Sequence, residues 1–410
     1  MTRYRAAWVL PISSPPIRNA WVAVDQGRIV AVGREAPPSA ASDVDLGQVA
    51  LMPGLVNAHT HLELSHLRDR IPPASDFVTW IRGVLAASRR GRSEGNAAEV
   101  LAGVRRGVDE AIRAGTAVVG DISNTLVTVT PLVESPLAAV VFYELIRFNA
   151  ENAEAVVEQA CREIDALAAT RSVRVTLAAH APYSVAPRVF RAIRQAVARD
   201  PAAVCSVHLS ESPAEVEFIR TGGGPWRTLL EEIGSWDPAW VAPGGTPVQF
   251  LEEHGFLDDR ILAVHGVQMT RDDLARLAAR GVTLVTCPRS NIHTGAGVPP
   301  IADFYASGVR VAVGTDSLAS TPDLNVFAEL AALRRLARGV PAARLLDSAT
   351  RLGARALGFD DEYGTIEPGK SARLIAVDVP AGVENVEEYL VDGIDPAQIH
   401  WIQSEITSEI

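Results

Sequence analysis

Two imidazoles two residues apart, His59 and His61, close the run Pro53-Gly-Leu-Val-Asn-Ala-His-Thr-His-Leu-Glu63. The apolar stretch after Pro53-Gly54 reads as a buried strand, and alternation along a strand puts both rings on one face. Imidazole is the commonest metal ligand, so the pair reads as a two-tooth clamp; the alternative is that both rings cap a strand end by hydrogen bonding. Further on, Val207-His208-Leu-Ser-Glu211 supplies a third imidazole with a carboxylate three residues later, and Gly314-Thr-Asp316-Ser317 supplies a carboxylate oxygen. Three nitrogens and one oxygen suit one borderline divalent ion, Zn2+ first, with Fe2+ or Mn2+ compatible with the same donors. An ion held with an open position lowers the pKa of its water from about 15.7 to roughly 7, which is catalytic chemistry rather than structural support.

The elements that must position these groups are legible as alternation of apolar strands with amphipathic helices, the signature of βα units. Eight strands are predicted, at 55–59, 117–121, 138–144, 173–180, 203–208, 261–265, 282–286 and 311–316. Helical patterns lie between most of them, including 97–114, 153–168, 187–199, 271–279 and 325–338. Eight such units predict a (β/α)8 barrel spanning 53–360, and six of the strands end on His or Asp, where barrels build their active sites. Short strands at 6–10, 20–24, 28–32 and 49–52, with Asp25-Gln26-Gly27 as a hairpin signal, cannot make a core alone. They are paired with the turn Gly364-Thr-Ile-Glu-Pro-Gly-Lys370 and the strand 373–377, predicting a small β-sandwich from segments 1–52 and 361–410. The Gly-, Trp- and Pro-rich connection 222–246 reads as a lid over the site.

Composition narrows the function classes. Hydrophobic residues make up 48% of the 410 and charged residues 21%, as in soluble globular proteins. A formal net charge of -11 argues against nucleic acid and other polyanions as partners. The one basic cluster, Arg89-Arg90-Gly-Arg92, reads as a solvated helix end. No apolar run reaches the ~18 residues of a membrane span, and the N-terminus lacks the pattern of a signal peptide. Cys161, Cys205 and Cys287 are odd in number and far apart, which suits a reducing cytoplasm and no disulfide framework. Lys370 is the only lysine, so a Schiff base or a lysine-bridged metal pair has a single candidate, and it lies in the sandwich turn. A small-molecule substrate is expected, with a homodimer as a possible assembly.

In this order, the motifs resemble the amidohydrolase superfamily, in its branch of adenosine-, guanine- and related aminohydrolases. The resemblance rests on Pro53-Gly-Leu-Val-Asn-Ala-His-Thr-His, Ala179-His-Ala-Pro-Tyr-Ser, His208-Leu-Ser-Glu, Val264-His-Gly, Cys287-Pro-Arg-Ser-Asn, Gly314-Thr-Asp-Ser and Gly364-Thr-Ile-Glu-Pro-Gly-Lys. It covers nearly the whole chain. It implies that His59, His61, His208 and Asp316 bind the metal, and that Glu211 and His265 serve proton transfer and the nucleophilic water. His265 and Asp316 would orient the water and accept its proton. Glu211 would protonate the ring nitrogen beside the attacked carbon, because attack on an aromatic amidine sends negative charge there. Read without the resemblance, Glu211 is an acid in a helix's first turn, favoured by the dipole.

Other residues carry two readings each. His180 is expected to touch substrate or to be a satisfied core histidine, and Glu63 to hold a ribose hydroxyl or a loop amide. Arg147 would meet an anionic substrate group or make a surface ion pair. Asn291 and His293 would contact ligand or staple a loop, and Ser317 is a further candidate contact. His66 would reach the pocket, His254 and His400 are structural or exposed, and Cys287 is a buried small hydrophobe rather than a nucleophile. Within the branch, Thr60-His-Leu-Glu-Leu-Ser65 and Phe218-Ile-Arg-Thr-Gly-Gly-Gly-Pro225 resemble the deaminases of 6-amino-6-deoxyfutalosine in the futalosine route to menaquinone. That substrate carries a benzoate, for which Arg147 or Arg227 would be the partner. S-adenosylhomocysteine, 5′-methylthioadenosine, adenosine or guanine deamination comes next. Triazine dechlorination is disfavoured by the presence of Glu211, and a non-catalytic assembly role by the retention of all four ligands.

Overall fold

The computed structural model describes residues 1–35, 42–93, 97–167 and 170–402. The side chains of Arg89, Arg90 and Arg92 lie outside the described residues, as does the end of the chain beyond 402. Five strands come first: β1 (Thr2–Val9), β2 (Ile17–Asp25), β3 (Arg28–Gly33), β4 (Ser42–Asp45) and β5 (Val49–Pro53). Eight parallel strands follow: β6 (Leu55–Thr60), β7 (Thr116–Ser123), β8 (Ala138–Leu145), β9 (Val173–Ala179), β10 (Cys205–Leu209), β11 (Ile261–His265), β12 (Thr283–Thr286) and β13 (Arg310–Val313). Two more, β14 (Leu374–Asp378) and β15 (Ile399–Trp401), close the order.

The fold is α/β with two four-stranded parallel sheets, ordered β6-β7-β8-β9 and β10-β11-β12-β13. Every residue of β6, β10, β11 and β12 is buried, as expected where helices cover parallel strands. At one edge His208 N donates to His180 O (2.8 Å); at the other Thr315 N and Asp316 N both donate to His59 O (3.1 and 3.0 Å). The site residues are therefore themselves the backbone joints between the sheets. Helices alternate with these strands and are stopped by local chemistry. Thr270 and Asp273 form a capping box on Arg271–Arg280, which ends at Gly281 in the left-handed conformation (φ 70°).

Strands from both ends of the chain share a seven-stranded sheet, ordered β15-β14-β5-β1-β2-β3 with β4 on β1. Its own cluster includes Val9, Val22, Ile29, Leu51 and Leu374. The Asp25-to-Arg28 hairpin turns through Gln26 and Gly27, both at positive φ, as the sequence predicts. The passage from this sheet into β6 is one residue long. Gly54 fills it because a Cβ there would lie 2.7 Å from Ala117 Cβ and 2.9 Å from the Trp401 ring.

Sequence and structure differ most in two connections. Helix Phe77–Ser93 extends well before the helix end expected at Arg89-Arg90-Gly-Arg92, and the expected lid 222–246 contains the helix Gly224–Glu232. Strand eight ends at Val313, three residues before the expected Asp316, because Gly314 to Asp316 leave the β13 ladder to pair with the end of β6. Among the described residues no helix is long and apolar enough to cross a membrane.

Candidate active site

Each strand of β6, β10 and β11 delivers its chemistry at its carboxyl end. His59 is the penultimate residue of β6 and only 1% exposed; His208 and His265 are likewise buried. Three non-glycine residues at these strand ends hold left-handed backbone: Ser210 (φ 53°), His265 (φ 78°) and Asp316 (φ 60°). Such conformations cost about 1–3 kcal/mol each and persist where surroundings enforce them. Two of the three, His265 and Asp316, line the same cavity.

The donor atoms of His59, His61 and His208 all lie within 4.8 Å of one another, with His61 Nε2 3.3 Å from His208 Nε2. Asp316 Oδ1 is 3.6 Å from His61 Nε2 and 3.9 Å from His59 Nε2. His59 Nε2 is buried and has no hydrogen-bond partner, a state that costs about 1–3 kcal/mol unless something else binds it. Burial first, then the neighbouring imidazoles, holds His59 well below the usual histidine range, so it is neutral as a ligand must be. Burial would raise Asp316, but His61 and His265 outweigh it and keep the carboxylate charged. Burial also lowers His61; it would lower His208 too, but the hydrogen bond to Glu144 and its charge prevail and raise that imidazole. Three imidazole nitrogens, one of them buried and unpaired, and one carboxylate fit a divalent ion, whose binding requires the imidazoles to be neutral.

Glu211 is 2% exposed, and its Oε1 lies 3.6 Å from His265 Nε2. Burial, then Asp316 and Glu215, raises its carboxyl well above the ordinary value, which favours the protonated form. Its loop is fixed from below by Glu215, whose carboxylate accepts from the backbone N–H groups of Ser210 (2.9 Å) and Glu211 (2.8 Å). On the other side, Glu144 Oε1 stands 3.3 Å from His208 Nδ1, which also lies 3.0 Å from His180 O. Burial would raise Glu144, yet His180 and His208 prevail and hold it well below the carboxylate range.

These groups face a cavity of about 660 Å³ whose polar end includes His61, Glu144, His180, His208, Glu211 and Asp316. Its outer walls are apolar. Helix Phe77–Ser93 contributes Phe77, Trp80, Ile81, Val84 and Leu85, while helix Gly224–Glu232 and the residue after it contribute Trp226, Leu229, Leu230 and Ile233. The predicted lid is thus a wall, with Trp236 and Trp240 behind it packed on Phe148.

Of the residues singled out by sequence, His180, Arg147 and Ser317 also line the cavity. His180 Nδ1 is 2.5 Å from Ser184 Oγ, and Ser317 Oγ is 3.2 Å from Ser320 Oγ. Arg147 is exposed and bonds only the carbonyl of Ile146 (2.8 Å), with no acidic partner among the described residues. Arg227 lies outside the lining, held to Glu231 Oε1 at 2.6 Å and stacked 3.6 Å over Trp236. Glu63 is also outside it: its carboxylate accepts from Ser123 Oγ and from the N–H groups of Asn124 and Thr125, the loop-amide alternative. Asn291 is fully buried against His265 Nδ1 (2.9 Å), and His293 bonds Ile71 O (3.2 Å). His66 bonds Glu63 O, His254 packs on Phe250, and exposed His400 pairs with Asp378. Cys287 is buried, and burial pushes its thiol up.

Sequence reasoning passed over Glu144, Glu215 and Ser290, whose hydroxyl donates to Asp316 Oδ2. Glu144 had a signal: it is the acidic end of the predicted third strand. Glu215 and Ser290 had none, since an acid and a serine in a first helical turn are ordinary caps.

Known proteins bear on this geometry. An aminodeoxyfutalosine deaminase of Deinococcus radiodurans is 34% identical over 321 residues, 75% of this chain and 73% of its own length. A 5-methylthioadenosine/S-adenosylhomocysteine deaminase of Moorella thermoacetica is 31% identical over 388 residues, 90% and 84% of the two chains. A solved adenosine deaminase of Xanthomonas campestris with bound zinc superposes with a TM-score of 0.79 at 28% identity, covering 97% of this chain and 90% of that one. The profile of the amidohydrolase family matches residues 50–400, and by that match this chain belongs to the amidohydrolase family, as a hydrolase acting on carbon–nitrogen bonds.

Proposed function

We propose that the protein is a cytoplasmic, one-metal aminohydrolase that deaminates an adenine nucleoside, with 6-amino-6-deoxyfutalosine as its substrate and futalosine and ammonia as products, in menaquinone biosynthesis. In this reading the eight parallel strands form a closed (β/α)8 barrel over 53–360, and segments 1–52 and 361–410 form the small terminal β domain. His59, His61, His208 and Asp316 would hold the ion, zinc by analogy with the Xanthomonas enzyme. When bound, the ion supplies a water activated for attack near neutral pH.

The chain's own groups then do the rest. Glu211, whose carboxyl burial raises, gives its proton to the ring nitrogen beside the carbon that carries the amino group. Asp316, charged and with Oδ2 held by Ser290, takes the proton of the attacking water. The proton on Asp316 then passes to the amino group, which leaves as ammonia, while the proton of the new hydroxyl returns to Glu211 and the ring carbon becomes a carbonyl. One observation carries the proposal: a single cavity is lined by Glu211, by apolar side chains of two helices and by Arg147, which has no acidic partner among the described residues. Adenine fits the polar end, an aryl 5′ group fits the walls, and Arg147 is free to pair with a carboxylate.

The apolar walls also suit a methylthio group, which is the second reading. The two separate in an ammonia-release screen of adenine nucleosides that differ at the 5′ position. Aminodeoxyfutalosine is expected to have the highest kcat/KM, and Arg147→Ala to lower it by about tenfold or more, a hydrogen bond to a charged group contributing about 1.5–3 kcal/mol. The same substitution should leave methylthioadenosine nearly unchanged. Equal losses on both would remove Arg147 from carboxylate recognition, and a clear preference for methylthioadenosine would favour the second reading. Arg227→Ala is expected to spare both, since its guanidinium is held by Glu231 and Trp236.

A further inference from the structure

We propose that Asn291 is a positioning residue that fixes which nitrogen of His265 carries the proton, keeping the Nε2–H directed at the reaction centre. The inference rests on the catalytic reading above only for what that N–H does; the hydrogen-bond assignment stands on the geometry alone. Asn291 sits in helix Pro288–His293, fully buried, with Nδ2 2.9 Å from His265 Nδ1. Its Oδ1 is buried and has no partner. Turning the amide over would satisfy Oδ1 but leave both hydrogens of the NH2 group unpaired. Buried unpaired N–H groups are rarer in proteins than under-satisfied carbonyls, so the amide donates and His265 Nδ1 accepts.

A neutral imidazole that accepts at Nδ1 must donate at Nε2. His265 Nε2 faces Glu211 Oε1 at 3.6 Å, so the N–H points to the place where the attacking oxygen and the acid meet. His265 therefore holds the oxygen by donating to it and cannot take its proton, which leaves Asp316 as the acceptor. The helix that presents Asn291 is itself anchored: Arg289 pairs with the fully buried Glu329 (2.6 Å) and with Asp323 (2.8 Å). Neighbouring Ser290 steadies Asp316 from the same turn. One short helix thus positions both partners of the water.

The test uses zinc-loaded full-length protein labelled with 15N-histidine, His265→Gln assigning the resonances. Long-range 1H–15N correlations should show a protonated Nε2 and an unprotonated Nδ1 for His265. A proton on Nδ1 would overturn the proposal, whether or not the protein deaminates any nucleoside. In Asn291→Leu the single tautomer should give way to a mixture, with kcat lower by about ten- to a hundredfold, KM nearly constant and metal content unchanged. A purely structural role would alter thermal stability without moving the tautomer or splitting kcat from KM, and wild-type kcat beside a mixed tautomer would refute the positioning role.

Discussion

Replacing Glu211 with glutamine tests the acid role proposed for it with little disturbance to what surrounds it. The side chain is buried, and burial, Asp316 and Glu215 all raise its carboxyl, which favours the neutral form that glutamine nearly matches in shape. Its backbone N–H bonds Glu215 and survives the change. No charge is lost from the ligand cluster, and the thermal midpoint is expected to stay within a few degrees of the parent. What is lost is the proton for the ring nitrogen. A placed general acid contributes about 10²–10⁴ in rate, or about 2.7–5.4 kcal/mol at 1.36 kcal/mol per decade. Steady-state ammonia release with metal content measured on the same preparation decides it. Turnover within tenfold of the parent at full metal occupancy would show that the ring nitrogen is protonated from elsewhere.

Three further perturbations follow from single contacts. Gly314→Ala would place a Cβ 2.6 Å from His59 O and 2.9 Å from His59 N, backbone atoms that cannot step aside; a loss of about 1–3 kcal/mol in denaturant unfolding is expected, and an unchanged midpoint would show that this joint is loose. Ser290→Ala removes the donor to Asp316 Oδ2 and is expected to weaken metal affinity about ten- to a hundredfold by competitive chelation, whereas an unaltered dissociation constant would show that the hydroxyl does not orient the ligand. Chelated protein is expected to melt below the metal-loaded form, because His59 Nε2 then has no partner; identical melting curves would place the ion elsewhere.

The polar end of the site was legible because its residues carry chemistry that apolar strands do not otherwise need. His59, His208 and His265 stand at the ends of buried strands made mostly of apolar residues, with Asn57 and Ser206 the exceptions before them, so an imidazole there is conspicuous, and β11 begins and ends where the pattern places it. The apolar wall was not legible for the converse reason. In Phe77–Ser93, the residues Phe77, Trp80, Ile81 and Val84 have the 3-4 spacing of any helix that buries one face, and the pattern does not say whether that face meets core or cavity. Arg227 illustrates a different limit: it shares its helix with Trp226, which lines the cavity, yet one step along the helix turns it to the outside, where Glu231 holds it. Asn291 looked like a ligand contact because it lies in a motif beside the site, and only its direction assigns it to His265.

That contrast explains why reaction class and substrate separate in this chain. The groups we assign to catalysis stand on strand ends locked by backbone bonds from one sheet to the other, and Thr315 and Asp316 both donate to the carbonyl of His59 itself. Moving any one of them breaks a joint, so the chemistry is tied to the fold. The walls that meet the 5′ substituent belong to two helices outside the strands, joined to each other across the cavity by the Arg82–Glu232 ion pair and by Phe77 against Trp226. That ion pair is exposed and screened by solvent, so residues there can change without cost to the cluster of His59, His61, His208 and Asp316. Deaminases of differently substituted adenine nucleosides can therefore share the polar end almost unaltered, and the choice among them lies in side chains that no ligand motif marks.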